Sequence, residues 1–223
     1  MNSNGDKSII KEYLPFWGDL KKEEQGLVID NMKSLTFKWG SFLHTGLNCT
    51  GLILVKSGQL RVFIISDTGK EITLYRLFDR DICILSASCL FKNINFEVHV
   101  EAIEDSEVFL LPTELFQRLS NSNIKVNSFI TKLMAAKLSD VMWILEQILF
   151  MSFDKRLALY LSEEIAITGS DTIHKTHEEI AKDMGSAREV VSRMLKYFER
   201  EGIVTLSRNT IKIIDTQRLL KFT

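Results

Sequence analysis

The chain has 223 residues, of which 45% are hydrophobic, and its formal net charge is −1. This composition suits one or two globular domains with an ample core, and the near-neutral charge argues against unselective binding of polyanions. The charge is unevenly distributed: residues 174–221 hold ten Lys or Arg against seven Asp or Glu, a net +3, which leaves −4 for the rest. A mildly basic C-terminal end is expected where a chain contacts nucleic acid locally.

The sequence shows neither a secretory signal nor a membrane-spanning segment. The N-terminal sequence MNSNGDKSII lacks the apolar core of a secretory signal, and the most apolar run, residues 141–153, is interrupted by Glu146 and Gln147 and is too short to span a bilayer. Three cysteines, an odd number, are unlike a disulfide framework. We therefore expect a cytoplasmic protein without a membrane partner.

The first half of the chain changes from a helical to a β-rich pattern. Residues 9–34 are predicted to be helical, and short β-rich runs follow from Leu35 to about Leu111. Two strands are predicted to turn at residues 57–58, two at 67–70 and a further pair near 104–105. Many short strands at this spacing indicate a sandwich or jelly roll.

Residues 121–153 contain neither Pro nor Gly and are predicted to form one long helix. Apolar residues repeat along one face at heptad spacing, with Asn127 and Lys137 as polar interruptions, and a second apolar stripe includes Phe129 and Trp143. A helix with two apolar faces needs two packing partners. The heptad face, taken as the seam of a dimer, comprises Ile130, Met134, Val141, Ile144 and Ile148.

The C-terminal region begins with a short amphipathic helix. Thr176 and Glu179 have the spacing of a capping box at its start, and Gly185 allows a tight turn at its end. Ser186 is the predicted N-cap of the next helix, and Glu189 would complete a second capping box.

A β-hairpin is predicted after that second helix, in the run IVTLSRNTIKII at residues 203–214. Two helices joined by a short turn and followed by a hairpin make a winged helix-turn-helix. The pattern therefore predicts a module whose second helix enters the major groove of DNA.

The second helix has one apolar and one polar half, since each residue advances by about 100°. An i,i+4 pair between Glu189 and Arg193 on a solvated face would explain part of the polar half. The helix before it and the hairpin after it favour a face that contacts DNA bases. The first two turns of that face carry Arg188, Glu189, Ser192 and Arg193.

The segment THEEIAKDMGSAREVVSRMLKYFEREGIV resembles the winged helix-turn-helix of the cAMP receptor protein and fumarate–nitrate reduction regulator family (Crp/Fnr). The run LILVKSGQLRVFI resembles the family's cyclic-nucleotide-binding β-roll, so the resemblance covers nearly the whole chain in the expected order. It implies an α+β fold: a jelly-roll-like β-roll sensor domain at residues 1–120, a dimerisation helix at 121–152 and a winged helix-turn-helix at 153–223.

The resemblance also implies roles for individual residues. Glu189 and Arg193 match the family's Glu and Arg that reach base edges in the major groove, where Arg donates two hydrogen bonds to guanine and Glu accepts from cytosine. Arg188 matches the cAMP-receptor type and Ser192 the fumarate–nitrate type, so we expect a half-site unlike that of either prototype. Phosphate contacts are expected from Thr176, His177, Ser186, Lys196 and Arg208.

The positions that hold phosphate in the cAMP-binding members are altered. Their Gly-Glu pair corresponds to Ile84 and Leu85, and their Arg-Ser pair to Phe96 and Glu97. Arg80 also stands where a Gly usually precedes the Asp of the turn. A phosphate would lose its cationic partner and meet a carboxylate, so cyclic nucleotide binding is disfavoured.

No other cofactor is expected from the sequence. The cluster-binding members need N-terminal cysteines, and here no cysteine precedes Cys49, which argues against an iron–sulfur cluster. His44 and His99 could be offered as haem ligands, but a lone His on a strand is more typical of a structural or surface residue. Four scattered histidines do not form a metal cluster, so we expect neither haem nor metal.

An effector pocket lined by apolar and aromatic groups remains the expectation, for a small molecule that the sequence does not identify. Within it, Cys83 and Cys89 could respond to redox signals, but neither has an adjacent Lys, Arg or His, so buried small side chains are the favoured interpretation. The predicted pocket residues are Phe63, Leu74, Cys83, Leu85, Cys89, Phe96 and Glu97.

We therefore predict a homodimeric transcription regulator that binds palindromic double-stranded DNA, with RNA polymerase as a further partner. It would respond to a small-molecule or redox signal other than a cyclic nucleotide. An enzyme is disfavoured because no nucleophile–base or metal constellation is evident. The alternative is a β-roll sensor whose degenerate helix-turn-helix serves protein–protein contact.

Overall fold

The structure is a computed structural model that describes residues 10–46, 50–90 and 96–223, without the side chains of residues 88–90. Contacts divide the chain into two compact units. The first comprises Met1–Ile64 and Leu74–Val141, and the second comprises Ile65–Thr73 and Met142–Thr223. Within the described ranges, no helix combines the length and apolarity needed to span a bilayer.

The N-terminal segment is only partly as predicted. Residues 10–13 are helical, and Pro15, which cannot continue a helix, follows them. A 3₁₀ turn over Trp17–Asp19 leads into α1 (Lys22–Asn31), and a strand begins at Lys33. The single helical region expected over 9–34 is therefore three separate pieces.

Eight strands form two four-stranded antiparallel sheets, which confirms the predicted β-roll. The first sheet has the order β1 (Lys33–Phe37), β8 (Ser106–Leu111), β3 (Leu52–Ser57) and β6 (Ile82–Cys83). The second has the order β2 (Phe42–Gly46), β7 (Val98–Ala102), β4 (Leu60–Ile65) and β5 (Glu71–Leu77).

Two of the three predicted strand turns lead from one sheet into the other. β3 and β4 follow one another in sequence but lie in different sheets, and so do β7 and β8. The strands expected near residues 104–105 exist, but they do not pair with each other. Gly58 makes the first crossing possible, since its φ is +89° and a Cβ there would lie 2.5 Å from Ser106 Oγ.

The core of the first unit lies between the two sheets. Leu60 and Val62 of β4 and Val98 and Val100 of β7 are fully buried in it. The long helix α3 (Ile124–Phe150) contributes Val126 and Ile130. It is preceded by α2 (Thr113–Ser122) and separated from it by an extended Asn123, so the predicted helix starts three residues late.

The register proposed for the long helix is altered by these contacts. Ile130 is only 6% exposed and belongs to the protomer's own core, and Met134 and Val141 pack against the same core. This face therefore packs on the β-roll, and Ile130 is removed from the predicted dimer seam. A different stripe of α3 is apolar and exposed: Leu138, Met142, Leu145 and Leu149.

The second unit contains the remaining helices and a three-stranded sheet. The helices are α4 (Phe153–Thr168), α5 (His177–Met184), α6 (Arg188–Arg200) and α7 (Thr216–Leu220). The sheet has the order β10 (Val204–Ser207), β11 (Thr210–Ile213) and β9 (Thr172–Ile173). The predicted hairpin is confirmed, whereas β9 was not anticipated. The unit's core is centred on Leu157, Leu161, Ile180, Val191, Leu195 and Phe198, all fully buried.

Candidate nucleic-acid interface

The start of α5 is fixed by the capping box that its sequence predicts. The Thr176 hydroxyl accepts a hydrogen bond from the Glu179 amide at 3.1 Å, and the Glu179 carboxylate accepts one from the Thr176 amide at 2.6 Å. Both interactions satisfy amides that the helix itself leaves unpaired. The side chain of His177, at the first helical position, is half-buried beside this cap.

The turn between α5 and α6 is closed by backbone rather than by a serine cap. Gly185 has a φ of +61°, and the Ser186 amide donates to the Ala181 carbonyl at 2.9 Å. Because Ser186 closes α5, the N-cap of α6 is Ala187, which makes no side-chain cap. The prediction of Ser186 as N-cap, with Glu189 completing a capping box, is therefore wrong.

The two halves of α6 are as the periodicity predicts. Val191, Leu195 and Phe198 are fully buried in the core of the second unit. The opposite half is solvent-exposed at Arg188, Glu189, Arg193 and Lys196, and Ser192 is half-buried. Burial of the apolar half fixes which side chains point outward.

The exposed side chains at the start of α6 are not used inside the protein. Among the described residues, the side chains of Arg188, Glu189, Ser192 and Arg193 make no hydrogen bond or ion pair, and the Glu189–Arg193 pair of the solvated-face interpretation is not formed. Together with neighbouring residues of the helix they frame an open hollow of about 750 Å³. We call Arg188, Glu189, Ser192 and Arg193 the polar arc.

Two cations of α6, Arg188 and Lys196, act on His177 at the start of α5, where Glu178 and Glu179 also lie in the first turn. Burial lowers the pKa of His177, and the charges of Arg188 and Lys196 add to that shift. These two cations on α6 therefore lie close enough to His177 on α5 to act on its imidazole. Arg208 is exposed at the turn of the β10–β11 hairpin, where Asn209 adopts a φ of +55°. Such a distribution suits contacts to phosphates.

Sequence reasoning missed a buried polar network behind this surface. Arg156, Tyr160 and Glu164 form one face of α4 at a spacing of four residues. Tyr160 donates to Asp183 at 2.7 Å, and Lys175 forms ion pairs with Glu164 at 3.1 Å and Asp183 at 2.9 Å. The i, i+4, i+8 run of polar residues in a helix of the domain core was the available signal.

The predicted effector-pocket residues do not form one group. Leu74, Cys83 and Leu85 belong to the core of the first unit. Phe63 lies on the other face of β4, with the Arg61 guanidinium 4.1 Å from its ring centre and the His99 ring 5.4 Å away. Phe63 therefore stands apart from the other three.

The remaining pocket predictions concern the mouth of the β-roll. Phe96 is 48% exposed, and Glu97 is exposed next to the end of β2, where its carboxylate would lie 3.5 Å from a Cβ on Gly46. Burial raises the pKa of the Cys83 thiol, which suits an inert buried cysteine. The side chain of Cys89 and the whole of Cys49 lie outside the described residues.

Lys137, predicted to interrupt the dimer seam, is instead turned toward the β-roll. Its ammonium lies 4.4 Å from the centre of the Tyr75 ring and 2.8 Å from Asp140. The cation is thus held by a ring face and a carboxylate of the same unit.

Among the described residues, no three His, Cys, Asp or Glu side chains are grouped as a metal site requires.

Comparison with known proteins identifies the class. A family model described as a Crp-like helix-turn-helix domain matches residues 155–222, and one described as a cyclic nucleotide-binding domain matches residues 41–123. A solved structure from Eubacterium rectale, assigned to the crp/fnr family of transcriptional regulators, is 48% identical with a TM-score of 0.92 and covers 95% of this chain and 98% of its own.

Two named relatives are more distant. Regulatory protein HlyX of Actinobacillus pleuropneumoniae is 24% identical over 92% of this chain and 88% of its own length. The cyclic AMP receptor protein of Thermus thermophilus is 26% identical over 89% of this chain and 92% of its own. The chain belongs to the Crp/Fnr family and is a DNA-binding transcription regulator of that type.

Proposed function

We propose that the polar arc contacts base edges of a palindromic DNA site in the major groove, with the start of α5 and the hairpin turn on the flanking phosphates. The observation that carries this proposal is the absence, within the described residues, of any internal hydrogen bond or ion pair for the four arc side chains. Because these donors and acceptors make no internal bonds, pairing them with base edges breaks no existing contact of the protein. Thr176, His177, Ser186, Lys196 and Arg208 are the proposed phosphate contacts.

Selection of duplexes from a random pool tests this function directly. We expect the full chain to enrich a sequence with two-fold symmetry whose half-sites are one helical turn apart, about 34 Å. Retardation of DNA from the region upstream of the gene, competed by the enriched duplex, gives a second measurement. Enrichment of no sequence, with retention of partner proteins instead, would support the alternative that the helix-turn-helix serves protein contact.

A two-fold dimer is part of this proposal, because symmetric half-sites require two recognition helices. The exposed stripe of α3, Leu138, Met142, Leu145 and Leu149, supports a parallel helix pair, since these residues alternate at spacings of four and three. Ile144 and Ile148 of the predicted seam flank this stripe.

RNA polymerase is a further proposed partner. The division of the chain into three domains at residues 120 and 152 remains a prediction.

The proposed signal is a small molecule or redox change other than a cyclic nucleotide. Ile84 and Leu85, at the positions of the family's Gly-Glu pair, are buried apolar side chains. Phe96 and Glu97 offer an aromatic ring and a carboxylate where a cation would be needed. Mass spectrometry of molecules that copurify with the protein would identify the effector.

A further inference from the structure

Helix α5 is held at both ends by α4. At its C-terminal end, Arg156 Nη2 donates to the Met184 carbonyl at 2.6 Å. At its N-terminal end, Lys175 directly precedes the Thr176 cap and donates to Tyr160 at 2.8 Å and to Glu164 at 3.1 Å. The polar face of α4 therefore fixes the position of the helix that bears Thr176 and His177.

Asp183 joins the two ends of this network. Its Oδ2 accepts from Tyr160 at 2.7 Å and from Lys175 at 2.9 Å. A carboxylate in the last turn of a helix is disfavoured by the helix dipole, so side-chain partners must stabilise this one. Its side chain is 10% exposed, and the Glu164 side chain is 5% exposed, and the Lys175 ammonium forms an ion pair with both.

A third element reaches the same carboxylate. Thr73, at the start of β5, donates to Asp183 Oδ1 at 2.8 Å. The same segment, Ile65–Thr73, brings Glu71 to within 3.4 Å of Lys182, and Ile72 lies so close to Gly185 that a Cβ there would be 2.8 Å from Ile72 Cδ1. This segment is the turn of the β4–β5 hairpin, whose strands continue into the sheet of the β-roll.

We propose that Asp183 is a positioning residue through which the β4–β5 hairpin sets the placement of the DNA-contacting start of α5. The proposal rests on the DNA-binding function proposed above. The hairpin donates to Oδ1 of Asp183, and Tyr160 and Lys175 donate to Oδ2. Since Lys175 directly precedes Thr176, a shift of Thr73 is transmitted through this carboxylate toward the start of α5. A change in the β-roll that moves this hairpin therefore changes how well Thr176 and His177 are placed for phosphates.

Thr73→Val removes the hydroxyl with little change of shape and is the principal variant. We expect it to weaken binding of the full chain to the duplex enriched by the wild type by about three- to tenfold, the range spanned by the net contribution of one hydrogen bond. The slope of log affinity against log salt should stay unchanged, because no phosphate contact is lost, whereas loss of a direct contact lowers it by about one. Fluorescence anisotropy at several salt concentrations measures both.

Matched variants separate positioning from a general loss of stability. Thr73→Ser keeps the hydroxyl and should restore wild-type affinity. Thr68→Val makes the same change elsewhere in the hairpin, where the hydroxyl lies 2.9 Å from Ser66 Oγ, and should have no effect. In an Asp183→Asn background, Thr73→Val should cost less than in the wild type, since the two changes act on one junction.

Hydrogen exchange tests the coupling between the β4–β5 hairpin and α5 in the absence of DNA. Thr73→Val should speed exchange of the α5 amides in the free protein, and Thr68→Val should not. If the wild type enriches no duplex, the proposed function fails, while this exchange measurement still decides the inference. A tighter rather than weaker complex, a reduced salt slope, additive effects with Asp183→Asn, or unchanged exchange in α5 would each overturn it.

Discussion

The four residues of the polar arc differ in what they can offer a base pair. An Arg presents two parallel donors that match guanine, a Glu only accepts, and a Ser can do either. Since the Ser186 cap is not formed, Glu189 has no capping duty and its carboxylate remains available. Sequence specificity is therefore expected to depend on Arg188, Glu189 and Arg193, whereas Lys196, one turn further, is placed for the backbone.

Arg193→Ala should weaken binding to the enriched duplex by about 1–3 kcal/mol and relax preference at one base pair. Lys196→Ala should weaken binding to all duplexes about equally and lower the salt slope by about one, because a phosphate contact carries no sequence information. Repeating the pool selection with each variant measures both. Equal losses without a change of preference would show that Arg193 does not contact a base.

His44 links stability of the β-roll to pH. It is 2% exposed, its Nδ1 lies 2.9 Å from Thr50 Oγ1, and burial lowers its pKa below the ordinary value of 6.5, with the charge of His99 adding to the shift. As the pH falls below 6.5, the unfolded chain takes up the proton first, so the free energy of unfolding must decrease. Above that pH both states are neutral and His44 contributes no slope.

Denaturant titrations between pH 7.5 and pH 5 check this linkage. The free energy of unfolding should fall more steeply in the wild type than in His44→Gln, which carries no titrating group at that position. Parallel pH profiles for wild type and His44→Gln would contradict the assignment.

At the scale of elements, sequence patterns located the strands but not their partners. Short β-rich runs and their turn signals predicted β3, β4, β7 and β8, and the turn at residues 67–70 predicted the β4–β5 hairpin. Such local signals do not say which sheet a strand joins, so the crossings at β3–β4 and β7–β8 could not be foreseen. The winged helix-turn-helix was more predictable, because the capping box, Gly185 and the wing turn are local signals.

The register of α3 was the weakest element-level prediction, because this helix has two apolar faces. Periodicity alone cannot tell which face packs on the β-roll and which is left for a second chain. Burial of Ile130 and the inward turn of Lys137 assign the first face. The Lys that interrupts the predicted seam is held by Tyr75 and Asp140 of its own chain.

Leu138→Glu combined with Leu145→Glu should convert the proposed dimer to monomers. Both leucines are exposed in the protomer, at 63% and 43%, so the changes should leave the protomer's core intact while placing charges in the apolar stripe. Sedimentation measures the assembly, and binding to the palindromic duplex should fall together with it. Ala136→Glu, also exposed but on another face of α3, is the control and should stay dimeric.

A double variant that remains dimeric would place the interface on another surface. In that case Val141→Glu with Ile148→Glu tests the face predicted from the heptad pattern. If only Val141→Glu with Ile148→Glu abolishes the dimer, and this variant melts like the wild type, then the dimer interface lies on the face predicted from the heptad pattern.

Over the whole molecule, the two ends of the chain differ in how well the sequence predicts their chemistry. The four residues proposed to contact bases lie on one helix, so local spacing is enough to predict their common face. The residues of the predicted effector pocket come from strands distant in sequence, and Phe63 lies on the opposite face of β4 from the core that holds Leu74, Cys83 and Leu85. Lists of residues taken from separate strands therefore do not define a pocket.

The last prediction concerns the signal that the whole molecule receives: calorimetry with cAMP or cGMP should give no saturable heat at micromolar concentrations. A desolvated phosphate requires charge-assisted hydrogen bonds, and Phe96 and Glu97 supply none. The apolar Leu85 also stands where the ribose would need an acid, so two independent contacts are missing. Glu97→Gln removes the repulsive charge but restores neither contact, and it should remain without binding. A micromolar dissociation constant for the wild type, abolished by substitutions at Phe96 and Leu85, would make this chain a nucleotide sensor.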